Sequence, residues 1–434
     1  MVDKFPYFSI SDYPWVGTDS GILKGLYYDE RAYVGLATKL INKPFPVEPE
    51  IPLSFQPWLQ LLAIGGSILI FGLNLFSVRL PSAIFSSVSI VIVYLICVEK
   101  FENKTVAFLS SLYLIAMFPA LVFNRMVFLE NGVALFFLAA YFCLLQYSKK
   151  NEKKYMILSV IFSGCSFLCK ITGLVTPLFL AIYLAYNKRL KKNIKFLSIT
   201  VALVIIFPVI ASVFYQNLLH MITSFIKNWY LGRTGNEFSI WTYMFLNTMP
   251  SGYITEFRGY PQLEYWYVFA YIALAYLTKT ERKKAIDIYL VIFTFVGLFY
   301  FAGGIGSYFI TIIQPFLAIP MGYLLKKIMT LSKFSLLLMH FLFTLPMQTA
   351  LHIYIASLGG ITTYDQVILI PKIIIICIPI ILMLFSYYSS NQADSKRLDL
   401  INNKILVLLF LGTLILNSYL PVFYPHYLLV KTTP

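Results

Sequence analysis

Residues Phe128–Lys170 read FLENGVALFFLAAYFCLLQYSKKNEKKYMILSVIFSGCSFLCK. Two apolar runs, 128–147 and 155–169, flank a polar knot of Lys149, Lys150, Lys153 and Lys154. A membrane-spanning helix needs about 20 mainly apolar residues, and short cytoplasmic loops are rich in Lys and Arg. The stretch therefore predicts a pair of antiparallel spanning helices that turn at the cytoplasmic face. Glu130 and Lys170 then mark the opposite end of the pair.

Working outward, similar runs recur along the chain. Spans are expected at 80–98, 105–124, 128–147, 155–169, 171–187, 196–216, 263–278, 285–302, 307–325, 333–356, 367–389 and 404–424. The pair within 155–187 is short enough to be one kinked unit, but Lys170, Gly173 and Pro177 argue for a break. Four more basic clusters follow spans: Lys188, Arg189, Lys191, Lys192 and Lys195; Lys279, Arg282, Lys283 and Lys284; Lys326, Lys327 and Lys333; Lys396, Arg397 and Lys404. With these spans all five clusters fall on one face, which the positive-inside rule makes cytoplasmic. Residues 58–74 are apolar but short and broken by Gly65, Gly66 and Gly72, and they read as an interfacial or re-entrant helix.

The expected fold is all-α: a polytopic transmembrane bundle of about 11–13 membrane segments with outer juxtamembrane helices. It divides into an outer segment 1–79, transmembrane helices over 80–216, an outer loop 217–262 and transmembrane helices over 263–434. Composition agrees. Of 434 residues, 59% are hydrophobic and 12% charged, against roughly 25% charged in globular chains. The net charge of +15 sits in loop clusters without interleaved aromatics, which speaks against nucleic acid. Cys97, Cys143, Cys165, Cys169 and Cys377 fall inside apolar runs, without the loop spacing of a metal knuckle. The first fifty residues, polar, aromatic and Pro-bearing, do not read as a cleavable signal peptide.

The outer face collects Asp29, Glu30, Arg79, Arg125, Glu130, Lys170, Arg233, Glu237, Glu256, Arg258 and Glu264. A 45-residue connection such as 217–262 is uncommon unless functional, so any chemistry is expected to face outward. Ionisable groups near the bilayer are costly and either functional or paired. Arg125 and Glu130 could pair with each other or snorkel to the interface. Lys170 could snorkel, hold a phosphate or pair with Glu130. Trp229-Tyr230 and Tyr265-Trp266-Tyr267 suit an interfacial belt. Asn103-Lys104-Thr105 fits a glycosylation sequon, but on the inner face it reads as chance.

Several local strings carry a resemblance. They are Tyr28-Asp29-Glu30-Arg31-Ala32-Tyr33, Ser54-Phe55-Gln56-Pro57-Trp58, Phe71-Gly72, and Val78-Arg79-Leu80-Pro81-Ser82-Ala83. Further along come Asn124-Arg125-Met126-Val127-Phe128-Leu129-Glu130-Asn131, Phe167-Leu168-Cys169-Lys170, and Ser307-Tyr308-Phe309 through Gln314-Pro315-Phe316. In this order they resemble the GT-C glycosyltransferases, specifically the protein O-mannosyltransferase and aminoarabinose-transferase group. The likeness covers residues 25–190 and, more loosely, 295–325. That group begins with a spanning helix ahead of the acidic motif, which residues 1–27 do not supply; either the outer loop is translocated without it or the start is truncated. Gln56 stands where relatives often carry His or Lys.

The resemblance implies transfer of a sugar from a polyprenyl-phosphate donor to an extracytoplasmic hydroxyl, with inversion, by a multi-pass enzyme of a prokaryotic cell membrane. The acceptor could be a protein, a glycan or a lipid, and the other contacts are membrane lipids. It implies that Asp29 is the base, with Glu30 orienting a neighbour and Glu130 as a further carboxylate. Asp29-Glu30 could also simply begin an amphipathic helix, where acids suit the dipole. Arg125, Lys170, Arg233, Arg258, Tyr308 and Gln56 are the candidates for the donor phosphate, guanidinium groups because they grip phosphate oxygens in pairs. No metal site stands out, and a divalent cation is left open. The rival readings are a transporter or flippase of lipid-linked sugars and a non-catalytic relative. A transporter favours ionisable groups at the midplane and paired broken helices, neither of which the sequence offers.

Overall fold

The computed structural model describes residues 28–42, 57–117, 120, 124, 126–214, 261–301 and 311–329. Every regular element among them is helical. In order these are α1 (Tyr28–Asn42), α2 (Leu59–Phe71), α3 (Leu75–Phe101), α4 (Lys104–Ala116), α5 (Glu130–Lys150) and α6 (Lys153–Cys169). A 3-10 turn, Ile171–Leu174, leads into α7 (Val175–Tyr186), α8 (Leu190–Phe214), α9 (Pro261–Thr280), α10 (Arg282–Phe301) and α11 (Gln314–Ile328).

The α3 helix is built inside out. Its small polar side chains Ser77, Ser82, Ser86 and Ser89 are buried, while Ile84, Val88, Val91 and Leu95 are exposed at helical spacing. A helix in water would reverse that pattern; small residues inward and large apolar ones outward is how helices pack within lipid. At 1.5 Å per residue the 27 residues of α3 and the 21 of α5 rise about 40 and 32 Å, enough for a hydrocarbon core of roughly 30 Å. By contrast α5 is enclosed by its neighbours and forms the axis of the bundle. Phe137 and Tyr141 of α5 meet Phe179 of α7 and Phe316 of α11, with Phe137 and Phe316 centroids 4.7 Å apart. The chain is a polytopic helical membrane protein.

Three turns close one end of the bundle with a left-handed residue each: Glu102 (φ 53°) after α3, Asn151 (φ 54°) after α5 and Lys188 (φ 56°) after α7. Among the described residues, three of the basic clusters gather there. Lys149 pairs with Glu99 and Glu102, Lys284 lies over the Phe101 ring, and Lys192 donates to Asn151 Oδ1. Asn103, the residue of the apparent sequon, uses its side-chain oxygen to cap α4 through Thr105 N and Val106 N. A buried triad also lies toward this end: the Lys100 ammonium and Tyr141 hydroxyl both donate to Asp287 Oδ2, joining α3, α5 and α10.

Several expectations need adjusting. Within the span expected over 105–124, α4 ends at Ala116 and Met117 is extended, while Ala120 is again helical and its carbonyl accepts from Asn124 N at 3.0 Å. The expected break after the sixth helix is present: Lys170 is extended (φ −160°, ψ 150°). Gly173 is required there, because a Cβ on it would strike the Ser166 carbonyl where the chain folds back. The span expected over 307–325 is helical from Gln314 to Ile328. Within residues 58–74 lies α2, whose 13 residues rise about 20 Å, too short to cross. The spans expected at 333–356, 367–389 and 404–424 lie outside the described residues.

Candidate functional site

The end of the bundle opposite the basic turns carries α1, α2, the connection 126–129 and the start of α5. Glu30, in the first turn of α1, is fully buried. Its Oε1 accepts from Arg79 Nε (3.0 Å) and from Val127 N (2.8 Å), and its Oε2 accepts from Arg79 Nη2 (2.9 Å). A carboxylate gripped by a guanidinium fork is a strong, directional contact. Both oxygens are engaged, so Glu30 acts as a strut that docks α1 on α3 and on the chain entering α5. Asp29 precedes it in the same helical turn, its Cα about 3.8 Å from that of Glu30.

One turn further along α1, Tyr33 is buried beside a second charge pair. Lys170 Nζ lies 2.5 Å from Glu130 Oε1 and donates to Tyr33 Oη at 2.9 Å. The ammonium also sits 5.3 Å from the Tyr33 ring centroid. Glu130 is 0% and Lys170 4% exposed. Such burial costs several kcal/mol per ion unless partners replace water, which the contact does here. Of the alternatives for Lys170, the structure has it paired with Glu130. Glu130 also occupies the first turn of α5, where the helix dipole favours a negative charge.

Gln60 holds this arrangement from α2. Its Nε2 donates to Phe128 O (2.9 Å) and Ser82 Oγ (3.2 Å), and its Oε1 accepts from Gly132 N (3.0 Å). The residue before α5, Leu129, makes no side-chain cap. Gln60 thus supplies from another helix the acceptor that a helix start requires. Gly132 permits the approach: a Cβ there would come 2.5 Å from Gln60 Oε1 and 2.7 Å from Cys169 Sγ. Cys169 directly precedes Lys170, so the same close packing sets Lys170 across from Glu130.

Glu30, Glu130 and Lys170 are thus brought to one end, around the first two turns of α1. Arg31 is buried beside them; burial pushes its guanidinium down from the ordinary value, and Glu30 pulls it back up. Gln56, Arg125, Arg233, Arg258 and Tyr308 lie outside the described residues. Tyr33, Arg79 and Gln60 were not singled out as site residues. Arg79 and Tyr33 sit inside strings that carry the resemblance, and Gln60 is a lone amide in an apolar segment, which was its signal. Among the described residues no three His, Cys, Asp or Glu side chains gather to hold a metal ion. The cluster holds the start of α1 in a fixed position against α3 and the start of α5.

Residues 56–212 match the family model described as dolichyl-phosphate-mannose-protein mannosyltransferase. The fold is similar to two crystal structures of ArnT from Cupriavidus metallidurans. The apo structure is 13% identical with a TM-score of 0.56, and the match covers 91% of this chain and 72% of that one. The structure bound to undecaprenyl phosphate is 14% identical with a TM-score of 0.62, covering 91% and 73%. At these identities the likeness is one of fold. A search of curated proteins finds no match. The resemblance to the GT-C group with its mannosyltransferase and aminoarabinose-transferase members is borne out, as is the helical-bundle fold.

Proposed function

We propose that this chain is an integral-membrane glycosyltransferase that moves a sugar from a polyprenyl-phosphate donor to an extracytoplasmic hydroxyl, inverting the anomeric carbon. In this reading the end bearing α1 faces outward, since the opposite end holds the basic turns. Residues 1–79 and 217–262 are its outer segments, between and around the helical blocks 80–216 and 263–434.

The observation that carries the reading is the docking of α1. Two buried charge contacts, Glu30 with Arg79 and Tyr33 with the Lys170–Glu130 pair, fix the helix start that bears Asp29. Asp29 accepts the proton of the acceptor hydroxyl. The freed oxygen attacks the anomeric carbon from the face opposite the phosphate. The bond from that carbon to the phosphate oxygen breaks, and the electron pair leaves with the polyprenyl phosphate. Phosphate is a good leaving group, so cations rather than an acid assist it: Arg31 and Lys170 among the described residues, and Arg125, Arg233 and Arg258 from the sequence. Glu30 and Glu130 hold Arg79 and Lys170 in place. General-base help of this kind contributes roughly 10²–10⁴ in rate.

The test is consumption of labelled polyprenyl-phosphate sugars by the purified protein and by Asp29→Asn. Asn matches the size of the carboxylate and cannot take the proton. Transfer is expected to fall by about 10²-fold or more, with donor binding little changed. Undiminished transfer by Asp29→Asn removes Asp29 as the base. If the protein moves a lipid-linked sugar across a vesicle bilayer without consuming it, the transporter reading replaces this one.

A further inference from the structure

We propose that the turn joining α5 to α6, together with the start of α8, forms a binding site for an anionic phospholipid in the leaflet at the basic end of the bundle. The site lies at the opposite end from Glu130 and Lys170 and stands whether or not the chain transfers sugar.

Two clusters that are far apart in sequence form it. Lys149, Lys150, Lys153 and Lys154 surround the first turn; Lys188, Arg189, Lys191, Lys192 and Lys195 surround the second. Lys192 Nζ donates to Asn151 Oδ1 at 3.4 Å, Tyr147 Oη donates to Asn193 Oδ1 at 3.0 Å, and the Arg189 guanidinium lies 5.8 Å from the Tyr147 ring centroid. These contacts bring the clusters together. Lys154 is engaged by Glu152 and Lys149 by Glu99 and Glu102. Lys150, Lys153, Lys188, Lys191, Lys192 and Lys195 remain on the exposed surface. Both α6 and α8 also begin here, so their positive dipole ends add to the field.

A free phosphate would need only the charge, but the structure offers more. Below the lysines of α8, Ile194, Val201 and Ile205 are exposed along that helix. The α8 residues recur at helical spacing, continuing the patch away from the basic end. The two helices run in the same direction and pack closely, with Thr200 Oγ1 donating to Val160 O (3.3 Å) and Gly164 making room for Leu203. An acyl chain fits along this apolar flank while its phosphate lies among the lysines. Charge above and hydrocarbon below is the complement of an anionic lipid, and juxtamembrane basic segments attract such lipids.

The experiment titrates the purified full chain, in neutral detergent, with phosphatidylglycerol or with phosphatidylcholine of the same chains. Bound lipid is read by native mass spectrometry and thermal stability. Phosphatidylglycerol is expected to be retained and phosphatidylcholine not. The triple Lys188→Gln/Lys191→Gln/Lys192→Gln should weaken retention on the order of 10²-fold, three near-surface charges being lost. A control triple at the α9–α10 turn, Lys279→Gln/Arg282→Gln/Lys283→Gln, should leave it unchanged. Ile194→Ser should lower it without altering charge. Equal retention of both lipids, equal loss in the control triple, or equal stabilisation by inorganic phosphate would each overturn the proposal. Should the first triple not fold, the wild-type protein decides. Its retention must fall as salt rises from about 0.05 to 0.5 M, and salt-independent retention overturns the site.

Discussion

Glu130 and Lys170 are 40 residues apart in sequence and meet as a buried ion pair at the end of the α5–α6 hairpin. The other end of the same hairpin is the lysine-rich turn at 149–154. One pair of helices therefore separates two kinds of charge: exposed and repeated at one end, buried and partnered at the other. Removing one partner leaves an uncompensated charge. Lys170→Met is expected to cost about 3–5 kcal/mol, and the double variant Glu130→Gln/Lys170→Met to recover a large part of it. Unfolding midpoints in detergent measure this; a neutral Lys170→Met would show that the pair does not form.

Arg79→Lys keeps the charge opposite Glu30 but loses the two-pronged grip. Hydrogen bonds to charged groups contribute about 1.5–3 kcal/mol each, so α1 should loosen while the bundle remains folded. Amide exchange over residues 31–41 should accelerate, with α5 unchanged. Unaltered exchange in α1 would show that the strut holds nothing.

Gly132→Ala pushes a methyl group toward Gln60 Oε1 and Cys169 Sγ. Overpacking of this kind costs roughly 1–3 kcal/mol. Adding Cys169→Ala should recover part of the loss by removing one of the two obstacles. If Gly132→Ala melts with the wild-type protein, the close approach of α2, α5 and α6 is wrong.

Asp287→Leu strands the Lys100 ammonium, which is largely buried beside Tyr141. A loss of about 3–5 kcal/mol is expected, and Lys100→Met in the same chain should offset much of it. The comparison of single and double variants is a coupling measurement; additive losses would mean that the two side chains are not partners.

Orientation is tested by labelling single cysteines from outside intact cells, in a chain cleared of its five native Cys. Asn42→Cys, at the exposed end of α1, should react, while Lys191→Cys and Lys283→Cys should not. Labelling at 191 would invert the topology and move the carboxylate cluster to the cytoplasmic face.

Much of the scaffold was readable beforehand because it follows from local composition. The hairpin around Lys149–Lys154, the break at Lys170 and the shortness of 58–74 all came from run length, Gly, Pro and charge. The end of α4 was not legible because hydropathy continues past Ala116, whereas the backbone is extended at Met117. At the site, the pairing of Lys170 with Glu130 was one of several open alternatives. Gln56 was a candidate through the resemblance, whereas Gln60, a lone amide in an apolar run, matched no such string.

Sequence alone determined that this protein belongs in a bilayer, which ends of its helices carry the basic turns, and which acidic strings lie at the other end. These are properties of hydrophobic length and charge placement, and each is settled within one segment. Only the tertiary structure decided who partners whom: Glu30 with Arg79, Tyr33 with Lys170, Gln60 with the start of α5, and Lys100 with Asp287. The physical reason is that a low-dielectric interior demands a partner for every buried charge or amide without specifying it. The choice depends on how helices rotate and slide against one another, and here that is set by contacts such as Gly132 on Cys169, between residues 37 positions apart.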